Sequence, residues 1–398
     1  MPRLRDDANT WTLHPLQGNY PDYAARLGFD STRRILFHRC KLDSFSSFPR
    51  ITNTRTYCAS LIMKEAVVSK GPEVQIIDSP VPKPGAEQVV VKVVVSGSNP
   101  KDWKLPAWQG TTLNQGDDIA GVVHEVGENV YEFKPGDRVA AFHEMLTPHG
   151  SYAEYAVAWQ HTTFHIPKHT TFEEAAAIPL AAMTSAIGLY LRLGLPQPWV
   201  PATEPIPVVI YGAASAVGSY AIQLAQQSNI HPLICIAGRS TAHVEKLIDR
   251  SKGDLILDYR EGDDALVENL KKAAGGKPLL HAFDAVSENG SYANLGRVLA
   301  EGAKVALVLP GQDYSVIPSY IEHSLTSVGS SHKDAKDFAH VYFRYIARGL
   351  FEGWFKPQPQ EVVPGGLAGV QQALENLQSG KAAAVKYVFR ISDTEGVS

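Results

Sequence analysis

Only three of the 398 residues are cysteine, Cys40, Cys58 and Cys235. Their spacing offers neither a disulfide framework nor paired metal ligands, and so few thiols suit a reducing compartment. No uninterrupted apolar run is long enough to span a bilayer, so no membrane partner is expected. No sustained basic block stands out either: 37 Lys and Arg face 41 Asp and Glu, for a formal net charge of −4, which argues against nucleic acid as a partner. Internal repeats and low-complexity segments are also missing. What is present is a chain that is 44% hydrophobic, long enough for a large core and two domains.

The first 62 residues contain no glutamate, yet carry arginine at positions 3, 5, 26, 33, 34, 39, 50 and 55. They show no steady hydrophobic period. Such a leader fits either an unstructured extension of a cytoplasmic protein or a mitochondrial transit segment processed near Arg55–Ala59. Aspartates at 6, 7, 22, 30 and 43 weigh against the second.

From Met63 to about Pro167 the segments MKEAVVSK, EVQIIDSP, QVVVKVVVSG, DIAGVVHEVG, DRVAAF, YAEYAVAW and TTFHIP alternate with turn signals and predict a β-rich lobe. TFEEAAAIPLAAMTSAIGLYLRLG then predicts a helix capped by Thr171, with Glu174 as its box partner. After the proline-rich linker LPQPWVPATEPIP, strands VVIYG, PLICIAG, DLILDY, LLHAFDAV, KVALVLP and SLTSVGS alternate with helical stretches, the pattern of a six-strand doubly wound sheet. The tail ending in LENLQSGKAAAVKYVFRI is expected to return to the first lobe. The division is therefore a leader over 1–62, a β-rich domain over 63–190 and 336–398, and a doubly wound domain over 191–335.

At 208–225 the chain reads VVIYGAASAVGSYAIQLA: strand, turn of small residues, amphipathic helix. A parallel strand that turns tightly into a helix aims free N–H groups at one point, which suits a pyrophosphate. Aligned on G-x-G-x-x-G, Ala213 takes the first position, Ser215 the second, and Gly218 keeps the third. Ser215, Ala216, Val217 and Gly218 are the expected phosphate contacts, with Ala213 tolerated if φ is negative and the Ser215 hydroxyl contacting phosphate directly. The second strand ends in GRST, where an NAD site presents an acid to the ribose. Arg239, Ser240 and Thr241 instead offer a cation and hydroxyls suited to a 2′-phosphate, pointing to NADPH.

These elements, with SGSNPKDWK (96–104), GDDIAGVVHEVGENVYEFKPGDRV (116–139), SYAEYAV (151–157), AAAIPLAAMTSAI (175–187) and GVQQALENLQSGKAAAVKYVF (369–389), resemble the medium-chain dehydrogenase/reductase superfamily. The details are similar to its zinc-independent quinone oxidoreductase and fungal trans-acting enoyl reductase branch. The resemblance implies an α/β protein with a GroES-like β-rich catalytic domain and a Rossmann cofactor domain. It places metal-ligand positions at Ser96–Gly97, at Asp117 in GDD and in AAMTSA, none of which carries the zinc-binding residue, so no metal is expected. It also implies Asn99 and Asp102 beside the nicotinamide, Lys104 near the cofactor ribose, and Thr184 as a pocket hydroxyl, with Lys104 and Thr184 as the catalytic positions. Tyr259 is expected to flank the adenosine and Leu309 and Pro310 to pass the nicotinamide, while Ser330, Ser331 and His332 line the substrate cleft.

Without a Lewis acid an isolated ketone is poorly activated. A conjugated C=C bond needs less, because charge delocalises onto a carbonyl oxygen held by hydrogen-bond donors. The expected activity is NADPH-dependent reduction of an enoyl thioester, enone or quinone, with the small-molecule substrate free or carrier-protein-bound and a polyketide synthase as a partner in secondary metabolism. A zinc-free carbonyl or alcohol dehydrogenase and a non-catalytic NADPH-binding protein stay open, as do monomer and homodimer.

Overall fold

The computed structural model describes residues 61–397. The readings made of the leader therefore lie outside the described residues, save that Ile62 already belongs to the first strand. Strand β1 (Ile62–Ser69) pairs antiparallel with β2 (Glu73–Pro80). Next come β3 (Gln88–Gly97), helix α1 (Lys101–Gln109), β4 (Asp118–Val126), β5 (Arg138–Phe142), β6 (Tyr155–Trp159) and β7 (Thr163–His165). β3 is a valine run because β4 and β6 both pair with it, so it is buried along most of its length.

The helical segment predicted over 171–194 is broken in two, α2 (Phe172–Ala176) and α3 (Pro179–Ala186). The capping box is present: Glu174 N–H donates to Thr171 Oγ1 at 3.1 Å and Thr171 N–H to Glu174 Oε2 at 2.8 Å. The break falls at Pro179, which has no N–H to continue a helix but suits a first turn. A π-helical turn, Ile187–Arg192, follows α3.

The second lobe is built from β8 (Val208–Tyr211), α4 (Ala216–Gln227), β9 (Leu233–Ala237), α5 (Thr241–Val244), β10 (Leu255–Asp258), α6 (Asp263–Ala274), β11 (His281–Asp284), α7 (Ser291–Gly296), β12 (Lys304–Leu307) and β13 (Glu322–Leu325). All neighbouring strands run parallel in the order β10-β9-β8-β11-β12-β13, the doubly wound arrangement with its switch point between β8 and β11. The sixth strand, predicted over 324–330, stops at Leu325. Residues Val328–His332 form a 3₁₀ turn instead, in which Ser331 Oγ donates to the Val328 carbonyl at 2.5 Å, the local bonding by which serine opposes extended structure.

Helix α8 (Lys336–Glu352), β14 (Gln360–Val362), α9 (Gly369–Gln378) and β15 (Lys386–Arg390) return to the first lobe, where β15 pairs with β3. α3, α4 and α8 share one apolar core running from Phe142 and Phe164 to Ile210 and Phe283, so the two lobes are packed together rather than tethered. Among the described residues no helix is long and apolar enough to cross a membrane.

Candidate active site at the ends of the parallel strands

β8 ends at Tyr211, and the left-handed residue of the turn is Gly212, with φ +73°. A Cβ there would also lie 2.4 Å from the Val286 side chain, so glycine is required on two counts. Ala213 follows with no left-handed backbone, because the turn has taken that requirement one residue earlier. Ser215 is the N-cap of α4, its Oγ accepting from Gly218 N–H at 3.0 Å, which leaves the hydroxyl proton free to donate outward. Gly218 lets the helix approach the strand: a Cβ there would sit 2.3 Å from the Gly212 carbonyl oxygen.

This turn opens on a cavity of about 310 Å³ lined by Gly212, Ser215, Gly238, Arg239, Ser240 and Tyr259. The opposite wall holds Val286, Glu288 and Asn289 after β11, and Ala382–Ala384 from the loop before β15. Arg239 Nη2 donates to the Gly380 carbonyl at 3.0 Å and so reaches that loop. Thr241 Oγ1 turns away, donating to the Gly238 carbonyl at 2.7 Å. Lys104 Nζ, from α1, is 3.1 Å from Glu288 Oε2.

The wall after β11 is held in an uncommon shape. Ser287 and Asn289 have φ of +56° and +55°, and Gly290 of +81°. Asp284, fully buried, fixes them: its Oδ1 accepts from Val286 N–H at 3.0 Å and Ser287 N–H at 2.8 Å, and its Oδ2 from Ser291 Oγ at 2.6 Å. Burial pushes the Asp284 carboxyl up to about 6 despite these donors.

Beneath the β3–α1 turn lies a buried ionic cluster. Lys101 Nζ is bonded to Asp117, lies 3.0 Å from Asp102 Oδ1, and donates to the Gln115 carbonyl at 2.6 Å. Asp117 Oδ1 also faces His143 Nδ1 at 2.8 Å. Asp118 accepts from Lys386 Nζ at 2.6 Å, Asn99 Nδ2 at 2.9 Å and Leu180 N–H at 2.7 Å. Burial opposes the charge on Asp117, but Lys101 and His143 outweigh it and hold the carboxyl below its usual range; burial likewise opposes Lys101, whose pKa its two carboxylates nonetheless raise. Asp102, with Tyr152 Oη donating to it at 2.6 Å, is pushed up by burial to about 6.

The alcohol dehydrogenase GroES-like domain matches residues 85–168. The trans-enoyl reductase fsr4 of Gibberella fujikuroi is 57% identical over 316 residues, covering 78% of this chain and 94% of its own length. This chain belongs to the fungal trans-enoyl reductase branch of the medium-chain dehydrogenase/reductase superfamily. The trans-enoyl reductase resD of Aspergillus sclerotiorum is 31% identical over 366 residues, 82% of this chain and all of its own length, that is 100%. An alcohol dehydrogenase superfamily protein from Novosphingobium aromaticivorans shares the fold, with TM-score 0.69 at 19% identity over 82% of this chain and 99% of that one. As a member of the superfamily the protein is an oxidoreductase that uses a nicotinamide cofactor.

Within this chain the expected site residues separate into groups. Ser215, Arg239, Ser240 and Tyr259 come together on the cavity wall, with Gly218, Ala216 and Val217 in the first turn of α4 behind it. Lys104 meets the cavity through Glu288. Asn99 and Asp102 are not on that wall but are buried in the ionic cluster, bonded to Asp118 and to Tyr152. Thr184 Oγ1 donates to the Leu180 carbonyl at 2.8 Å, back-bonding along its own helix. Leu309 is buried and takes the Tyr314 hydroxyl at 2.5 Å, while Pro310 is exposed. Ser330, Ser331 and His332 are buried together; burial pushes His332 down to about 3, so the ring is neutral, with Nε2 3.4 Å from Thr162 Oγ1 and Nδ1 without a partner.

The residues that sequence reasoning missed are Glu288, Val286, Asn289 and the Ala382–Ala384 loop. A usable signal was the SENG turn directly after the fourth parallel strand, since ligands bind at the carboxyl ends of such strands.

Removing the Lys101 ammonium leaves Asp117 and Asp102 buried beside one another. Lys101→Met is expected to cost about 3–5 kcal/mol in urea unfolding. A loss below about 1 kcal/mol would show that the cluster does not depend on this cation.

Proposed function

We propose that the protein is a zinc-independent, NADPH-dependent reductase of conjugated C=C bonds, acting in trans on an enoyl thioester carried by a polyketide synthase in the cytoplasm. The observation that carries the zinc-independent part of this reading is the pairing of Lys101 with Asp117 and of Lys386 with Asp118. The trans-enoyl reductase names of relatives at 57% and 31% identity support the reaction and the separate partner. A metal dication would have to displace an ammonium group to reach either carboxylate, and among the described residues no group of three or more His, Cys, Asp or Glu is placed to hold one.

The lining of the cavity supports a dinucleotide cofactor. The Gly212 turn, the α4 N-terminus and the Ser215 hydroxyl suit a pyrophosphate. Arg239 and Ser240, at the end of β9, suit a 2′-phosphate, and no acidic side chain from that strand opposes it. When bound, the reduced nicotinamide supplies a hydride to the carbon β to a carbonyl. The chain's part is to hold the reacting carbon out of water and to offer donors toward the carbonyl oxygen, where charge develops.

With NADPH and an α,β-unsaturated thioester the expected product is the saturated thioester. An allylic alcohol would reassign the protein to carbonyl chemistry, and binding without oxidation across enones, quinones and enoyl thioesters would make it a non-catalytic binder.

Cofactor choice has its own test. Charge-assisted bonds to phosphate contribute roughly 1.5–3 kcal/mol each, so Arg239→Asp should weaken NADPH by about one to two decades while leaving NADH unchanged or improved. Equal losses for both cofactors would mean that Arg239 serves only the contact with Gly380.

A further inference from the structure

We infer that Glu288 is a positioning residue: it holds the Lys104 ammonium over the nicotinamide half of the cleft and clasps the two lobes together there. The inference rests on the nicotinamide reading above. In a doubly wound sheet the adenosine half lies over the strands on one side of the switch point and the nicotinamide half over those on the other. Arg239 follows β9, on the first side; Glu288 follows β11, on the second. Lys104 comes from the other lobe, where its side chain is largely buried at 11% exposure, so the ammonium has few alternative places to sit.

Lys104 Nζ meets both carboxylate oxygens of Glu288, at 3.1 and 3.3 Å. The other charged group on this wall is Arg239, which is engaged with Gly380 on the adenosine side. Glu288 therefore has one cation, and the pair is neutral as a unit. Each member needs the other: an unpaired Glu288 would repel the dinucleotide phosphates, and an unpaired Lys104 would lose its fixed place in the cleft. The turn that carries Glu288 is fixed by the Asp284 bonds, and backbone held in sparsely populated conformations is retained where its shape is used. Glu288 touches neither substrate nor reacting atoms in this scheme; it acts through Lys104.

The test is a double-mutant cycle read by titration, with NADPH as the whole ligand and adenosine 2′,5′-bisphosphate as a probe of the adenosine half alone. Lys104→Met and Glu288→Gln should each weaken NADPH by about fivefold and leave the bisphosphate within about twofold of wild type. Adding Glu288→Gln to Lys104→Met should recover part of the loss, because the stranded carboxylate is then gone. Unchanged or tighter NADPH binding by Glu288→Gln, equal losses for both ligands, or losses that multiply in the double variant would each overturn the proposal. A wild-type protein that binds neither ligand would instead defeat the NADPH reading, and the same variants titrated with NADH would then decide the proposal.

Discussion

Asp117 and Asp118 are adjacent carboxylates at the start of β4, almost wholly shielded from water, and each is paired with a lysine from a different part of the chain. Desolvation makes two neighbouring buried charges untenable unless each has a counter-ion in bonding distance. Lys101 supplies one from the first turn of α1, and Lys386 the other from the first residue of β15. Satisfying these acids thus ties the start of β4, the β3–α1 turn, the N-terminal end of α3 through Leu180, and the returning C-terminal strand into one unit.

That unit occupies the segments where the superfamily resemblance places metal ligands. Gly97 has no room for any side chain, since a Cβ would lie 2.1 Å from the Ala176 carbonyl oxygen, and the Ser96 hydroxyl is bonded to Ser151 at 2.6 Å. At these positions the carboxylates are paired with cations of the polypeptide itself. Reaction chemistry that relies on hydrogen-bond donors and a nicotinamide hydride is consistent with such a site.

Much of the architecture could be read from the residues because local signals and tertiary demands agree. The β-branched runs became strands, Thr171 and Glu174 formed their capping box, and the six parallel strands fell in doubly wound order. The turn at 212–218 was legible in kind, yet the left-handed residue is Gly212, because fingerprint spacing fixes the packing glycine better than it fixes φ. The partners of Asn99 and Asp102 could not be read locally: Asn99 accepts from Lys386 and Asp102 from Tyr152, both distant along the chain. Glu288 was missed for the same reason, its meaning being set by Lys104, 184 residues away.

The most direct measurement is a zinc titration of purified protein followed calorimetrically, with metal content and NADPH oxidation measured before and after chelator treatment. With Lys101 and Lys386 in place, no stoichiometric high-affinity binding is expected, the purified chain should carry well under one zinc, and the rate should survive the chelator. One tightly bound zinc per chain whose removal abolishes oxidation would contradict the assignment of the Asp117–Asp118 cluster to the two lysines.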